Sequence, residues 1–199
     1  MAATIDYFLA PQSPWTYLGH ARFVELARRA GARVNVKPMD LGRIFPLSGG
    51  LPLAKRAPQR QAYRLLELQR FRDHLQLPLT LHPKFFPVAG DDAARLVIAV
   101  DQADGSTAAL DLAGRVLAAC WAQERDIASA ATLAELLSEA GLPASRLDAS
   151  RAPEVQARYD ANTQEAIAAN VFGSPSYVVD GELFWGQDRL DFVARKLGL

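Results

Sequence analysis

"TIDYFLAPQSPWTYLGHARFVELARRAGARVNVKPMD", residues 4–40, contains two short β-rich runs with one amphipathic helix between them. The first run, "TIDYFLA", alternates as a half-buried strand does, and "RVNVKPMD" repeats the pattern. Between them "SPWTYLGHARFVELARRAG" has helical periodicity and ends at Gly31, where a C-cap is expected. A crossover helix this close to both strands argues for parallel pairing in an α/β domain. Ser13 and Pro14 open the helix as N-cap and first helical residue, because a hydroxyl satisfies free N–H groups and proline forfeits nothing there. The same hydroxyl, among free N–H donors at the positive helix end, is also placed to hold an anion.

Beyond residue 40 the strand signal nearly vanishes. Helical periodicity recurs in residues 57–75, 91–104, 107–126, 131–141 and 152–171, while "PLSGGLPLAKRAP", residues 46–58, is broken by proline and glycine and reads as loop. Strands return in "SYVVDGELFWG", where Asp180-Gly181 between two apolar runs is a hairpin signal, and "QDRLDFVARKLGL" reads as a last helix. The order is β-α-β, a long helical stretch, then β-β-α. That is the order of a thioredoxin-like α/β fold with a large all-helical insertion. Residues 1–40 and 171–199 would form the thioredoxin-like part, and 41–170 the insertion, whose ends are available to pack as helices of that fold.

Half of the 199 residues are hydrophobic, enough for one substantial core with an inserted subdomain. Twenty-two basic residues balance 22 acidic ones, so no global field draws the chain to nucleic acid or an anionic membrane. The opening residues lack the pattern of a signal peptide, no apolar run approaches a membrane span, and a cytoplasmic location is the expectation. Cys120 has no partner for an internal disulfide and reads as a buried helix residue. His20, His74 and His82 lack metal-ligand spacing, and no metal site is assigned.

In thioredoxin-like enzymes the start of the first helix carries a C-x-x-C pair. Here Ser13, Pro14, Trp15 and Thr16 stand there, so both thiol positions are hydroxyls and dithiol exchange through this pair is excluded. A thiol brought by a ligand remains open to activation. Ser174-Pro175 precedes a strand, an ordinary place for proline. Lys55, Arg56, Arg60, Arg64, Arg70 and Arg72 outnumber Glu67 and Asp73 between residues 55 and 73, as a solvated helix face or as cations for a cleft.

"SPWTYL", "VFGSPSYVVDGELFWGQDRLDFV" and the helical stretch between them resemble the 2-hydroxychromene-2-carboxylate isomerases, relatives of the kappa-class glutathione transferases and bacterial disulfide oxidoreductases. The resemblance spans essentially the whole chain. It implies a homodimeric isomerase of aromatic catabolism, such as naphthalene degradation, that uses glutathione and a small aromatic carboxylate. It further implies that Ser13 faces the glutathione sulfur, Ser174 pairs through its main chain with the cysteinyl part, and Pro175 is the cis-proline. Gln187, Asp188 and Arg189 match the residues at the γ-glutamyl end. For the substrate it points to Arg43, Gly50, Pro52 and Lys55 in the loop after the second strand, with Phe86 as an aromatic wall. The asparagine that the family carries before a proline in that loop is missing here. A kappa-like glutathione transferase or peroxidase is the alternative, sharing Ser13, Pro175 and Asp188 but consuming glutathione.

Overall fold

The computed structural model describes residues 3–199. Strands β1 (Thr4–Leu9) and β2 (Arg33–Pro38) pair in parallel, with Thr4 opposite Arg33 and Leu9 opposite Pro38. The crossover is helix α1 (Pro14–Arg29), which ends in a Schellman motif: Ala32 N–H reaches the Ala27 carbonyl at 3.0 Å, Gly31 N–H reaches that of Arg28, and Gly31 takes φ 59°. At the C-terminal end β3 (Ser176–Val179) and β4 (Glu182–Trp185) form the expected hairpin, with Asp180 and Gly181 both at positive φ as a type I′ turn requires. β3 pairs antiparallel with β1, and the sheet order is β2-β1-β3-β4.

Between the two strand pairs lie α2 (Leu41–Ser48), α3 (Pro58–Leu75), α4 (Asp91–Asp104), α5 (Ser106–Trp121), α6 (Ala130–Glu139), α7 (Ser145–Ala149) and α8 (Pro153–Ala168). The expectation of loop across 46–58 is corrected: Pro46, Leu47 and Ser48 finish α2, and Leu53–Lys55 form a 3₁₀ turn. Asp40 Oδ1 accepts from Gly42 N–H at 2.7 Å, and Gly49 at φ 73° closes the other end. Two good caps hold a short helix whose proline forfeits one backbone bond. The five residues of α7 are too few to show a period and went unread. The last helix is also refined, a 3₁₀ turn at Gln187–Arg189 preceding α9 (Leu190–Lys196). Among the described residues no helix is long and apolar enough to cross a membrane.

Ile5 and Tyr7 of the sheet, Phe23 of α1, Leu96 of α4, Leu112 of α5 and Leu136 of α6 belong to one buried cluster. A second cluster, with Phe8, Met39, Ile44 and Ala166, seats α2 and α8 against the sheet. These contacts fix where β1, α1 and β3 converge.

Candidate active site

Ser13 stands at that convergence. It adopts extended backbone angles, its Oγ accepts from Thr16 N–H at 3.2 Å, and its hydroxyl donates to the Ser174 carbonyl at 3.3 Å. Ser174 Oγ in turn accepts from Ala10 N–H at 2.8 Å and lies 2.7 Å from Thr16 Oγ1. All three hydroxyl residues are buried, Thr16 completely. The end of β1, the start of α1 and the approach to β3 are thus tied by one polar knot. The Ser174–Pro175 peptide is cis, and the Pro175 carbonyl accepts from Gly186 N–H at 2.9 Å, which joins the far end of the hairpin to the same place.

A cleft of about 180 Å³ opens beside this knot, lined by Trp15, Phe71, Ser174, Gln187, Asp188 and Arg189 among others. Asp188 and Arg189 are exposed and paired with each other at 2.8 Å. Gly186 has φ 108°, and a Cβ there would lie 2.5 Å from Asp188 Oδ1, so glycine is needed both for the turn and for the carboxylate to fold back over it. Gln187 is nearly enclosed. Its Oε1 accepts from Arg22, whose Nη2 also donates to the Gln187 carbonyl at 3.0 Å, while its Nε2 has no partner. This amide nitrogen is sealed inside the turn, so what Gln187 gives the site is its hold on Arg22 and α1.

The family model of the DSBA-like thioredoxin domain matches residues 4–198. The chain belongs to this DSBA-like family. The 2-hydroxychromene-2-carboxylate isomerase of Sphingobium xenophagum is 28% identical over 195 residues, covering 97% of each chain. That of Pseudomonas putida is 28% identical over 202 residues, covering 98% of this chain and 94% of the relative. A solved 2-hydroxychromene-2-carboxylate isomerase superposes with a TM-score of 0.80 at 23% identity, over 98% of this chain and 94% of the other. The cytosolic disulfide reductase DsbM from Pseudomonas aeruginosa, solved with GSH, gives 0.69 at 19%, over 98% and 100%. The thioredoxin-like α/β fold and the full-length resemblance to these isomerases, both read from the sequence, are therefore found.

In this DSBA-like chain the residues singled out beforehand fall into two groups. Ser13, Ser174 and Pro175 share the knot, and Ser174 shares the cleft with Gln187, Asp188 and Arg189. Arg43, Gly50, Pro52 and Lys55 do not line this cleft, and Arg43 is occupied by Asp160 at 2.6 Å. Phe86 packs on Trp121, ring centroids 4.7 Å apart. Cys120 is buried, and burial pushes its thiol up to about 12, so it is no nucleophile. Two cleft residues went unnamed in the sequence reading as walls: Trp15 and Phe71, which meet edge to face at 6.2 Å. For Phe71 a signal was present, since Arg64, Leu68 and Phe71 follow the i, i+4, i+7 spacing of one helix face.

Proposed function

We propose that the protein is a glutathione-dependent isomerase that converts 2-hydroxychromene-2-carboxylate, or a related aromatic-degradation intermediate, to trans-o-hydroxybenzylidenepyruvate. The isomerase names of full-length relatives support the reaction class. The observation that carries the reading is Ser13, whose hydroxyl is held at the start of α1 next to a cleft. The cleft's polar groups suit a peptide-like ligand with charged ends: the Ser174 main chain, the Asp188 carboxylate for an amine and Arg189 for a carboxylate. When bound, glutathione supplies a thiolate able to add reversibly to a conjugated carbon, turning a rigid double bond into one that rotates.

The chain's own part is to hold that sulfur as an anion and to orient both molecules. The Ser13 hydroxyl's present bond to the Ser174 carbonyl is long at 3.3 Å, so the proton can turn to a nearby anion at little cost. The N-terminal N–H groups of α1 add their positive end. A thiol of ordinary pKa about 8.5 would be lowered by roughly 2 units, about 2.7 kcal/mol, without any basic side chain. From the same resemblance we also propose a cytoplasmic homodimer.

The test is the ultraviolet thiolate absorbance of enzyme-bound glutathione against pH, in the wild type and in Ser13→Ala. Ser13→Ala should raise the sulfur's pKa by a unit or more, cut turnover on the order of 10²-fold, and cost only about 1 kcal/mol of stability as a lost cap. An equally low pKa in both proteins removes Ser13 from this role. Glutathione should be recovered unchanged after turnover; its consumption would favour the transferase reading.

A further inference from the structure

Arg64 is only 9% exposed, yet it has no acid. Two arginines further along α3 find one: Arg70 pairs with Glu67 at 2.5 Å and Arg72 with Asp73 at 2.8 Å. Among the described residues Arg64 makes neither an ion pair nor a hydrogen bond, and the charge that acts on it is the like charge of Arg56. Burial and Arg56 pull its guanidinium down to about 10, so it remains a cation at neutral pH. The residue keeps a small opening to the outside, its 9% exposure. A nearly buried cation without a counter-charge is costly, and an arriving anion relieves that cost.

The surroundings say what kind of anion. The guanidinium carbon lies 5.4 Å from the Phe86 ring centre and 5.7 Å from that of Trp121, so two aromatic faces hold it. A guanidinium braced this way offers two parallel N–H donors to a carboxylate and leaves flat apolar surface for a ring attached to it. Trp121 also donates its indole N–H to the carbonyl of Gln12, the residue before Ser13, at 3.3 Å. One and two turns further along the same face of α3 come Leu68 and Phe71, and Phe71 walls the cleft against Trp15. Arg64 therefore lies along one face of α3 from the cleft wall at Phe71 and against Trp121, whose indole is bonded to the residue before Ser13.

We infer that Arg64 binds the carboxylate of the aromatic acid on which the protein acts and sets its specificity for acids, with Phe86 and Trp121 fixing the guanidinium plane. The substrate class rests on the proposed function; the unpaired cation does not. A carboxylate of glutathione is the other source of the same chemistry, but the cleft suited to glutathione is walled by Ser174 and the 187–189 turn and does not include Arg64.

Calorimetry with 2-hydroxycinnamate, a planar aromatic acid, against its uncharged methyl ester tests this on the intact protein, with glutathione titrated separately. The wild type should bind the acid at least about tenfold more tightly than the ester. Arg64→Met should weaken the acid by about 10- to 100-fold, bring it level with the ester, and leave the glutathione Kd within about twofold; Arg64→Lys, a charge without the fork, should restore only part. Replacing a buried unpaired charge with an apolar stem should leave the fold intact, and the acid–ester comparison in the wild type needs no variant. Equal affinity for acid and ester in the wild type overturns the inference, as does an Arg64→Met protein that loses glutathione as much as it loses the acid. Acid discrimination that depends on Arg64, without any glutathione-dependent turnover, upholds Arg64 and defeats the proposed function instead.

Discussion

His20 illustrates how one side chain in α1 serves the fold rather than a metal. Its Nε2–H donates to the Leu110 carbonyl of α5 at 2.9 Å, which leaves Nδ1 to accept from the Tyr7 hydroxyl of β1 at 3.0 Å. That arrangement requires the neutral ring, and burial lowers the imidazole to about 4. The unfolded chain, with an ordinary histidine near 6.5, takes up its proton first as the pH falls. Stability from this residue is thus fully present above about 6.5 and is lost progressively down to about 4, by roughly 3 kcal/mol in all. Urea midpoints at pH 7.5 and 4.5 measure it. His20→Gln, which cannot titrate, should show a clearly smaller acid shift than the wild type; an identical shift would assign the acid sensitivity to carboxylates elsewhere.

The packing of α1 on the Gln187–Arg189 turn decides how the two ends of the cleft meet. Gly19 permits that approach, because a Cβ there would sit 2.8 Å from Gln187 Cβ and 3.3 Å from its Cα. Arg22, one turn along, then reaches both the carbonyl and the side chain of Gln187. Alanine at position 19 gains about 1 kcal/mol of helix propensity but forces a packed turn apart at a cost of about 1–3 kcal/mol. The expected outcome is a net loss of about 1 kcal/mol in denaturant unfolding together with glutathione binding weakened on the order of fivefold, since the turn bearing Asp188 is displaced. A Gly19→Ala protein that is more stable and binds glutathione unchanged would show that this contact does not govern the cleft.

Sheet and helices share one interior. Leu136 of α6 is fully buried in the same cluster as Ile5 of β1 and Phe23 of α1, so its loss is felt throughout. Leu136→Ala should cost about 2–5 kcal/mol, the usual range for a cavity left at a buried leucine. Because the cluster is continuous, helix content in the far-ultraviolet and tryptophan fluorescence should still change in one transition, both moved by the same amount. Two separated transitions would mean that the helical stretch is held independently of the sheet.

Properties that depend on a few neighbouring residues were legible in the sequence: the β-α-β opening, the Ser13 cap, the Asp180-Gly181 hairpin and most helix spans follow from periodicity and end chemistry. Short-range competition already blurred 46–58, where two caps outweighed the breakers between them. The place of Ser174 beside Ser13 entered only through resemblance, because nothing near it in sequence links it to a residue 161 positions away. Their hydrogen bond exists because β1 and β3 pair and a packed interior holds α1 against them. Likewise the sequence shows Arg64 and Arg70 as equal members of a basic run, and only packing separates them. Arg70 lies in water beside Glu67, while Arg64 is nearly buried against two aromatic rings with no counter-charge, since a cation's energy is set by what the tertiary structure brings to face it.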